Sequence, residues 1–172
     1  KENVMPPLSV NKPYPDVNEL CPDARSLRII SPAYAGAAGE LNAVLLYTYA
    51  GLLFRREGYA DFAEAIGGIA IAEMVHLKLL GGAITALGAA PVFTANPPCL
   101  FNFYSSKYVV YSRTLVNIAE DGVRAEKQAI RAYERMLGML KNVRVSELIE
   151  RIVEDERLHL AEWEKILKAV KS

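Results

Sequence analysis

The 172-residue chain is long enough to fold as one domain around a hydrophobic core of its own. Hydrophobic residues make up 52% of it and charged residues 23%, a balance typical of globular proteins that excludes a largely disordered chain. Twenty basic residues offset twenty acidic ones, so no net charge favours binding to nucleic acid or to an anionic membrane.

The first thirty residues are rich in proline and lack sustained periodicity, which predicts an extended arm over 1–30 ahead of a single domain over 31–172. Such an arm either crosses a neighbouring subunit or frays as a tail, and the sequence favours neither. The arm has no apolar stretch of the signal-peptide kind. The apolar run 41–54 of the first predicted helix is shorter than the about 18 residues of a membrane-spanning helix. We therefore expect a cytoplasmic protein outside the membrane.

Helical periodicity and capping residues predict four helices after the arm. An N-cap followed by proline, Ser31-Pro32, marks the start of the first, and Asp61 with Glu64 forms a capping box for the second. The predicted ranges are about 31–57, 61–87, 108–140 and 146–170. Short loops within each pair predict antiparallel hairpins, and the long proline-containing connection between the pairs predicts a crossover. The expected fold is an all-α four-helix bundle.

Two Glu-x-x-His motifs carry the strongest chemical pattern. They are Glu73–His76 on the second helix and Glu156–His159 on the fourth, and they use the only two histidines of the chain. A spacing of three residues puts a carboxylate and an imidazole on one face of a helix, where both can bind the same cation. One such motif is common on charged helices without a metal, but two motifs that use both histidines indicate a site.

The other two helices each place a glutamate in an apolar setting. Glu40 is the only acid between Pro32 and Phe54, and Glu126 lies in the middle of the apolar stripe of the third helix. Burying an unpaired carboxylate is unfavourable by several kcal/mol. We therefore predict two metal ions between six ligands: Glu40, Glu73, His76, Glu126, Glu156 and His159. A donor set rich in carboxylates suits iron or manganese better than zinc or copper.

This layout resembles the ferritin-like superfamily of carboxylate-bridged dimetal proteins, which includes ferritin, bacterioferritin, rubrerythrin and manganese catalase. The resemblance covers about residues 31–170, and segments 39–44 and 73–81 are most similar to rubrerythrin-like and manganese-catalase-like bacterial proteins. It implies a ferritin-like four-helix bundle. It also implies a role for each ligand: terminal for Glu40 and Glu126, bridging for Glu73 and Glu156, and one nitrogen per metal from His76 and His159.

The sequence departs from rubrerythrin in two respects. Rubrerythrin has a further glutamate one turn after the third-helix ligand, where this chain has Ala129. Rubrerythrin also carries a rubredoxin, whereas Cys21 and Cys99 form no CxxC motif here and are expected to be free thiols rather than a disulfide. A peroxidase cycle would therefore need an external electron donor.

Three further residues are candidates for a supporting role. By its resemblance to the Asp-Glu-x-x-His pattern, Asp155 is expected to reach across to His76, with a solvated helix residue as the alternative. Tyr47 and Tyr133 each lie seven residues after a terminal glutamate. They are expected either to hydrogen-bond the ligands and relay protons or electrons, or to pack in the core.

Two bridged metal ions can exchange two electrons with an O–O unit, so we expect redox chemistry on hydrogen peroxide or dioxygen. Peroxide removal is the first expectation, with Glu40, Glu73, Glu126 and Glu156 around the metals and Tyr47 or Asp155 moving protons. Ferroxidase or iron-handling activity is the second, and a structural, spore-coat-like protein that retains the metal site is the third. The first helix is apolar nearly all round, which predicts a homodimer through the first two helices.

Overall fold

Five α-helices make up the fold of the computed structural model, which describes residues 6–172. They are α1 (Ala24–Ala35), α2 (Glu40–Arg56), α3 (Ala60–Ala86), α4 (Leu115–Met139) and α5 (Val143–Val170). α2 packs mainly against α3 and α4 mainly against α5, and short loops make each pair an antiparallel hairpin. The crossover 87–114 joins the hairpins, and in the described part of the chain it contains a single β-bridge rather than a strand. The predicted all-α bundle with a long crossover is confirmed.

The first predicted helix differs most from the structure. It starts at Ala24 instead of Ser31, because the Asp23 carboxylate caps it by accepting hydrogen bonds from the backbone N–H groups of Arg25 and Ser26 at 3.0 and 3.1 Å. Pro32 lies inside this helix on its exposed side, where water can replace the hydrogen bond that proline cannot donate. The prediction of a cap at Ser31-Pro32 was therefore wrong.

The same stretch is broken into two helices by residues 36–39. A Cβ added at Gly36 would lie 2.5 Å from the Pro32 carbonyl oxygen, and one at Gly39 would lie 2.6 Å from that of Ala33, so the break requires glycine. It makes Glu40 the first residue of α2. The positive end of the α2 dipole therefore stabilises the Glu40 carboxylate.

The remaining helix starts also shifted. α3 begins after Tyr59 without a side-chain cap, so the capping box expected at residues 61–64 is not the start of the helix. α4 begins at Leu115, later than the predicted 108, because the Thr114 hydroxyl caps it. α5 begins at Val143 rather than after Ser146, because the Asn142 side chain accepts a hydrogen bond from Val145 N–H. α4 and α5 therefore begin at polar side-chain caps, whereas α3 begins without one.

The proline-rich arm lies along its own bundle over the residues that the structure describes. Leu8 N–H donates to the Gly68 carbonyl of α3 at 2.9 Å, and the Val17 side chain packs against Gly82 of the same helix. This packing differs from the frayed tail that was one of the two alternatives for the arm. Residues 24–30, expected to be part of the arm, belong to α1. Residues 1–5 of the predicted arm lie outside the described residues.

Two hydrophobic clusters fill the bundle. One is built around α1 and the adjoining parts of α3, α4 and α5, and includes Ile30, Leu80 and Ile152. The other lies toward the opposite ends of the helices, and includes Phe54, Ile66 and Trp163. The predicted ligands lie between the two clusters along the helices, which shields them from water on both sides. Both cysteines, Cys21 and Cys99, are free thiols.

Two helical stretches are long and apolar enough by composition alone to cross a membrane, Ala24–Arg56 and Ala60–Ala86. The first is interrupted at residues 36–39. Inside the bundle, 50% of the apolar window of the first and 44% of that of the second are buried. Helices at the core of a bundle have this composition, and the second stretch carries buried Glu73 and His76.

Candidate metal centre

Six acidic and histidine side chains from four helices converge in the interior of the bundle. Each is at most 4% exposed, and together they are the predicted set: Glu40 from α2, Glu73 and His76 from α3, Glu126 from α4, and Glu156 and His159 from α5. They form two overlapping groups of four, Glu40–Glu73–His76–Glu156 and Glu73–Glu126–Glu156–His159. Within each group the donor atoms lie within 4.8 Å of one another, so each group could hold one metal ion. The structure brings every predicted ligand together.

The two imidazoles face each other across this cluster and turn the same nitrogen toward it. His76 Nδ1 lies 3.0 Å from Glu73 Oε2 and 3.3 Å from Glu156 Oε1. His159 Nδ1 lies 3.0 Å from the other oxygen of Glu73. Glu73 and Glu156 belong to both groups of four, which is the arrangement that bridging carboxylates require. Each half of the cluster therefore has one nitrogen donor and one carboxylate of its own.

Several carboxylate oxygens of the cluster have no hydrogen-bond partner within the described residues. They are Glu126 Oε1 and both oxygens of Glu156, all buried. A buried polar atom without a partner is unfavourable by about 1–3 kcal/mol, and more when it is charged. Each of these oxygens lies within 4.0 Å of an imidazole Nδ1 atom, and divalent cations bound beside those nitrogens would satisfy them. The donor set therefore fits two hard cations.

The carboxyl groups of the cluster respond to this crowding in different directions. Burial, together with Glu73 and Glu156, raises the pKa of Glu40 well above its usual range. Burial and Glu156 raise the pKa of Glu126 in the same way. Burial would also raise the pKa of Glu73, but the positive charge of His159 and its hydrogen bond to Glu73 outweigh it and lower that pKa. Without metal, protons have to balance part of the negative charge.

Both histidines have a raised pKa for the same reason. Burial alone would lower the pKa of His76, but hydrogen bonds to the carboxylates around it, with Asp155 first, raise it well above its usual value. For His159, burial is outweighed by the charge of Glu73. The metal-free centre therefore retains protons on its imidazoles, and metal binding has to displace them.

The two candidate tyrosines contact the carboxylates. The Tyr133 hydroxyl donates a hydrogen bond to Glu40 Oε1. The Tyr47 hydroxyl faces Glu126, and burial together with the Glu126 charge raises the pKa of Tyr47 well above its usual value. The Tyr47 ring packs against the buried Trp163 indole, with 5.3 Å between ring centroids. The two tyrosines thus combine core packing with contacts to the predicted ligands.

The outward nitrogens of the imidazoles are held by two different acceptors. Asp155 Oδ2 lies 3.1 Å from His76 Nε2, the contact expected for this residue. The backbone carbonyl of Leu8 lies 2.8 Å from His159 Nε2. Tyr14 donates to the same Asp155 oxygen at 2.5 Å. Sequence reasoning missed Leu8 and Tyr14, because a carbonyl leaves no mark in the sequence and Tyr14 lies in a proline-rich stretch without periodicity.

A cavity of about 470 Å³ reaches the carboxylates from the side opposite the arm. Its inner wall includes Glu40, Glu126 and Tyr133, and its outer wall includes the exposed Gln128 and Arg135. Several of the lining residues between these ends are alanine or glycine, from the 36–39 break and from α4. The cavity therefore connects the exposed residues of its outer wall with the carboxylates of the cluster.

Comparison with known proteins gives a family match across most of the bundle. The family described as rubrerythrin matches residues 34–167, which include all six predicted ligands. No curated protein sequence matches the chain at a significant level.

Solved structures with the same fold include a catalase and two bacterioferritins. The manganese catalase KatB from Anabaena PCC7120 is 20% identical with a TM-score of 0.77, over 95% of this chain and 80% of that one. The bacterioferritin of Desulfovibrio desulfuricans, described with a diiron site, is 27% identical with a TM-score of 0.73, over 86% of this chain and 81% of that one. The Mycobacterium tuberculosis bacterioferritin BfrA is 19% identical with a TM-score of 0.72, over 88% and 89%.

Proposed function

The chain belongs to the rubrerythrin family, and from that premise we propose that it is a dimetal redox protein that removes hydrogen peroxide. The unpartnered carboxylate oxygens between the two imidazoles are the observation that carries the proposal. The similar structures of a manganese catalase and a bacterioferritin with a diiron site support iron or manganese as the metal.

The proposed ligands divide the two ions between the halves of the cluster. Glu40 and His76 would hold one ion, and Glu126 and His159 the other. Glu73 and Glu156 would bridge them, since both belong to each group of four. When bound, the two ions supply the two-electron redox capacity that cleavage of an O–O bond requires.

The residues of the chain would orient the reactants and hold protons. The cavity would admit a small substrate to the carboxylate side of the centre, beside Glu40 and Glu126. The raised pKa of Tyr47 keeps a proton on its hydroxyl beside Glu126, and Tyr133 holds a second proton against Glu40. Each hydroxyl is placed to give a proton to an oxygen atom in the centre and to take one back.

Disproportionation is the form of peroxide removal that we favour. Two peroxide molecules give one dioxygen and two water molecules, and the centre returns to its starting state without an outside reductant. Iron oxidation is the second candidate, because two of the similar structures are bacterioferritins. It would consume dioxygen and ferrous iron instead of releasing dioxygen, so the two activities differ in the direction of the oxygen signal.

An oxygen electrode separates these candidates. Metal-free protein is loaded with Mn²⁺ or with Fe²⁺, and oxygen is followed after addition of peroxide. We expect oxygen release from loaded wild type, at least 100-fold less from Glu126→Gln, and wild-type release from Glu134→Gln, an exposed acid of the same helix. Oxygen uptake on addition of Fe²⁺ without peroxide turnover would favour iron oxidation. Neither response in fully loaded protein would contradict both disproportionation and iron oxidation.

We further propose a homodimer through the face of α2 and the neighbouring helix α3. α2 exposes apolar side chains along one side, among them Leu45 and Leu52, and Leu52 is 65% exposed. Leu52→Glu is expected to give a monomer in light scattering. Val143→Glu changes an equally exposed residue at the start of α5 and should leave the dimer intact. A monomeric wild type would contradict the proposal.

A further inference from the structure

The N-terminal strap, residues 6–14, closes the side of the metal centre that lies opposite the cavity. We infer that this strap positions both metal-binding imidazoles, gives the two metal sites different affinities, and is in turn fixed in place by metal binding. The inference rests on the proposed dimetal function. It concerns the outward nitrogen of each imidazole, which the bundle helices alone leave only partly satisfied.

Leu8 holds the His159 side of the centre. Its N–H donates to the Gly68 carbonyl of α3 at 2.9 Å, and its carbonyl accepts from His159 Nε2 at 2.8 Å. A carbonyl can only accept, so Nε2 must carry the proton. The lone pair of a neutral His159 is then on Nδ1, the atom that faces Glu73 and the cluster. The strap thus selects the tautomer that can bind a metal.

Asp155 connects the strap to the His76 side. Its Oδ2 accepts from His76 Nε2 at 3.1 Å and from the Tyr14 hydroxyl at 2.5 Å, and its Oδ1 accepts from Val10 N–H at 2.7 Å. Two of the four groups that hold Asp155 therefore belong to the strap. The fourth is Arg151, whose Nη1 lies 2.9 Å from Asp155 Oδ1.

Arg151 also ties the strap to α5. Its guanidinium donates to the carbonyl of Val10 at 2.9 Å and to that of Lys12 at 3.1 Å. It lies 4.3 Å over the Tyr14 ring, at cation–π distance. Arg151 is 2% exposed, so the strap and this guanidinium bury each other. Arg151, Asp155 and His159 thus contact the strap along its length, and through these contacts the strap reaches both histidines.

The two imidazoles consequently have unlike partners. His76 donates to a carboxylate, which increases the electron density on its metal-facing nitrogen, whereas His159 donates to a neutral carbonyl. The site of His76 should therefore bind metal more tightly than the site of His159. Coupling between strap and metal is reciprocal, so metal binding should also hold the strap more firmly on the bundle.

Gly68→Leu tests the Leu8 contact without changing a proposed ligand. A Cβ at Gly68 would lie 3.3 Å from Leu8 Cβ and 3.3 Å from the Pro6 carbonyl oxygen, so a leucine side chain there has to lift the strap. The matched control is Gly138→Leu, a helical glycine with open space around it. Stepwise affinities for Mn²⁺, and for Fe²⁺ without oxygen, are measured by competition with a chelator. In Gly68→Leu we expect the affinity of the site of His159, the weaker of the two, to fall about 10- to 100-fold. Gly138→Leu should change neither affinity.

Tyr14→Phe tests the other half of the strap. The variant keeps the ring over the Arg151 guanidinium but removes the hydroxyl that holds Asp155. We therefore expect the affinity of the site of His76 to fall about 10-fold. Tyr49→Phe, which loses a 2.9 Å hydrogen bond to a carbonyl far from the centre, is the control and should change neither affinity. Hydrogen exchange gives a second measurement: the amides of Leu8 and Val10 should exchange more slowly after metal loading of wild type.

The outcomes separate the two proposals. Wild type that binds two ions, with Gly68→Leu and Tyr14→Phe equal to their controls, would overturn the role of the strap and leave the dimetal centre standing. Unchanged exchange of the strap amides on loading would overturn the reciprocal coupling. Wild type that binds neither Mn²⁺ nor Fe²⁺ would overturn the dimetal function and the inference with it.

Discussion

Replacing Glu126 with glutamine should stabilise the metal-free protein and weaken the metal-loaded one. Glu126 is 1% exposed, and its Oε1 has no hydrogen-bond partner in the described structure. The glutamine amide keeps the shape but removes the charge, and its NH₂ group can donate to an unpartnered oxygen of Glu156. Satisfying one such buried group contributes about 1–3 kcal/mol. For a chain of this size, each kcal/mol raises the melting temperature by about 2–4 °C.

Metal should reverse this order. A ligand that binds only the folded state stabilises it by about 2.7 kcal/mol per site when its free concentration is one hundred times its Kd. Wild type with both sites filled would therefore be stabilised by about twice that amount. Glu126→Gln would lose at least the stabilisation that comes from the site of His159. The variant should melt above wild type in chelator and below it with Mn²⁺.

The pH dependence of this difference gives a second check on the cause. The folded pKa of Glu126 is raised, so above the unfolded pKa of about 4.5 the unfolded chain loses a proton that folded Glu126 retains, and stability falls as the pH rises toward the folded pKa. Glutamine does not ionise. The advantage of the metal-free variant should therefore be larger at higher pH.

Differential scanning calorimetry with and without chelator measures both effects. Glu134→Gln, an exposed change on the same helix, should stay within about 0.5 kcal/mol of wild type in either condition. A metal-free Glu126→Gln protein less stable than wild type would refute the account of unbalanced buried charge. So would a variant that binds both ions with wild-type affinity.

Three further predictions concern packing, protonation and turnover. A methyl at Gly122 would overlap the Trp163 indole, so Gly122→Ala should destabilise by about 1–3 kcal/mol in chemical unfolding, whereas Gly138→Ala, with open space, should stabilise by up to about 1 kcal/mol. The folded pKa of His76 is raised above the unfolded value of 6.5, so the contribution of His76 to stability is complete below pH 6.5 and is lost as the pH rises. The melting temperature of the metal-free protein should therefore fall above pH 6.5. A rise would contradict the assignment. Tyr47→Phe should keep two ions in elemental analysis and lower the oxygen release rate about 100-fold or more, and an unchanged rate would remove Tyr47 from proton transfer.

The ligand set was predictable because it combines two independent regularities. The Glu-x-x-His spacing fixes which side chains share a helix face, and the apolar surroundings of Glu40 and Glu126 mark those glutamates as buried. Both regularities are local in the sequence. The long connection between the second and third predicted helices was enough to predict how the two hairpins are joined. The resemblance to dimetal proteins then supplied the expected roles of the ligands.

The features that sequence reasoning missed depend on contacts between distant segments. Ser31-Pro32 satisfies a local rule for a helix start, but Asp23 caps the helix earlier and the glycines at 36–39 break it later. The strap lies on the bundle through backbone groups such as the Leu8 carbonyl, and any residue type except proline could supply the same N–H and C=O pair. No pattern of residue types identifies such a contact.

The central claim is that two divalent cations balance the buried carboxylates. Anomalous X-ray scattering at the manganese and iron edges, on crystals of protein purified without added metal, tests it most directly. We predict two peaks about 3.5–4 Å apart, one beside His76 Nδ1 and one beside His159 Nδ1, with Glu73 and Glu156 between them. Crystals of the folded bundle with no peak in this cluster, or with imidazoles turned away from the peaks, would contradict the account.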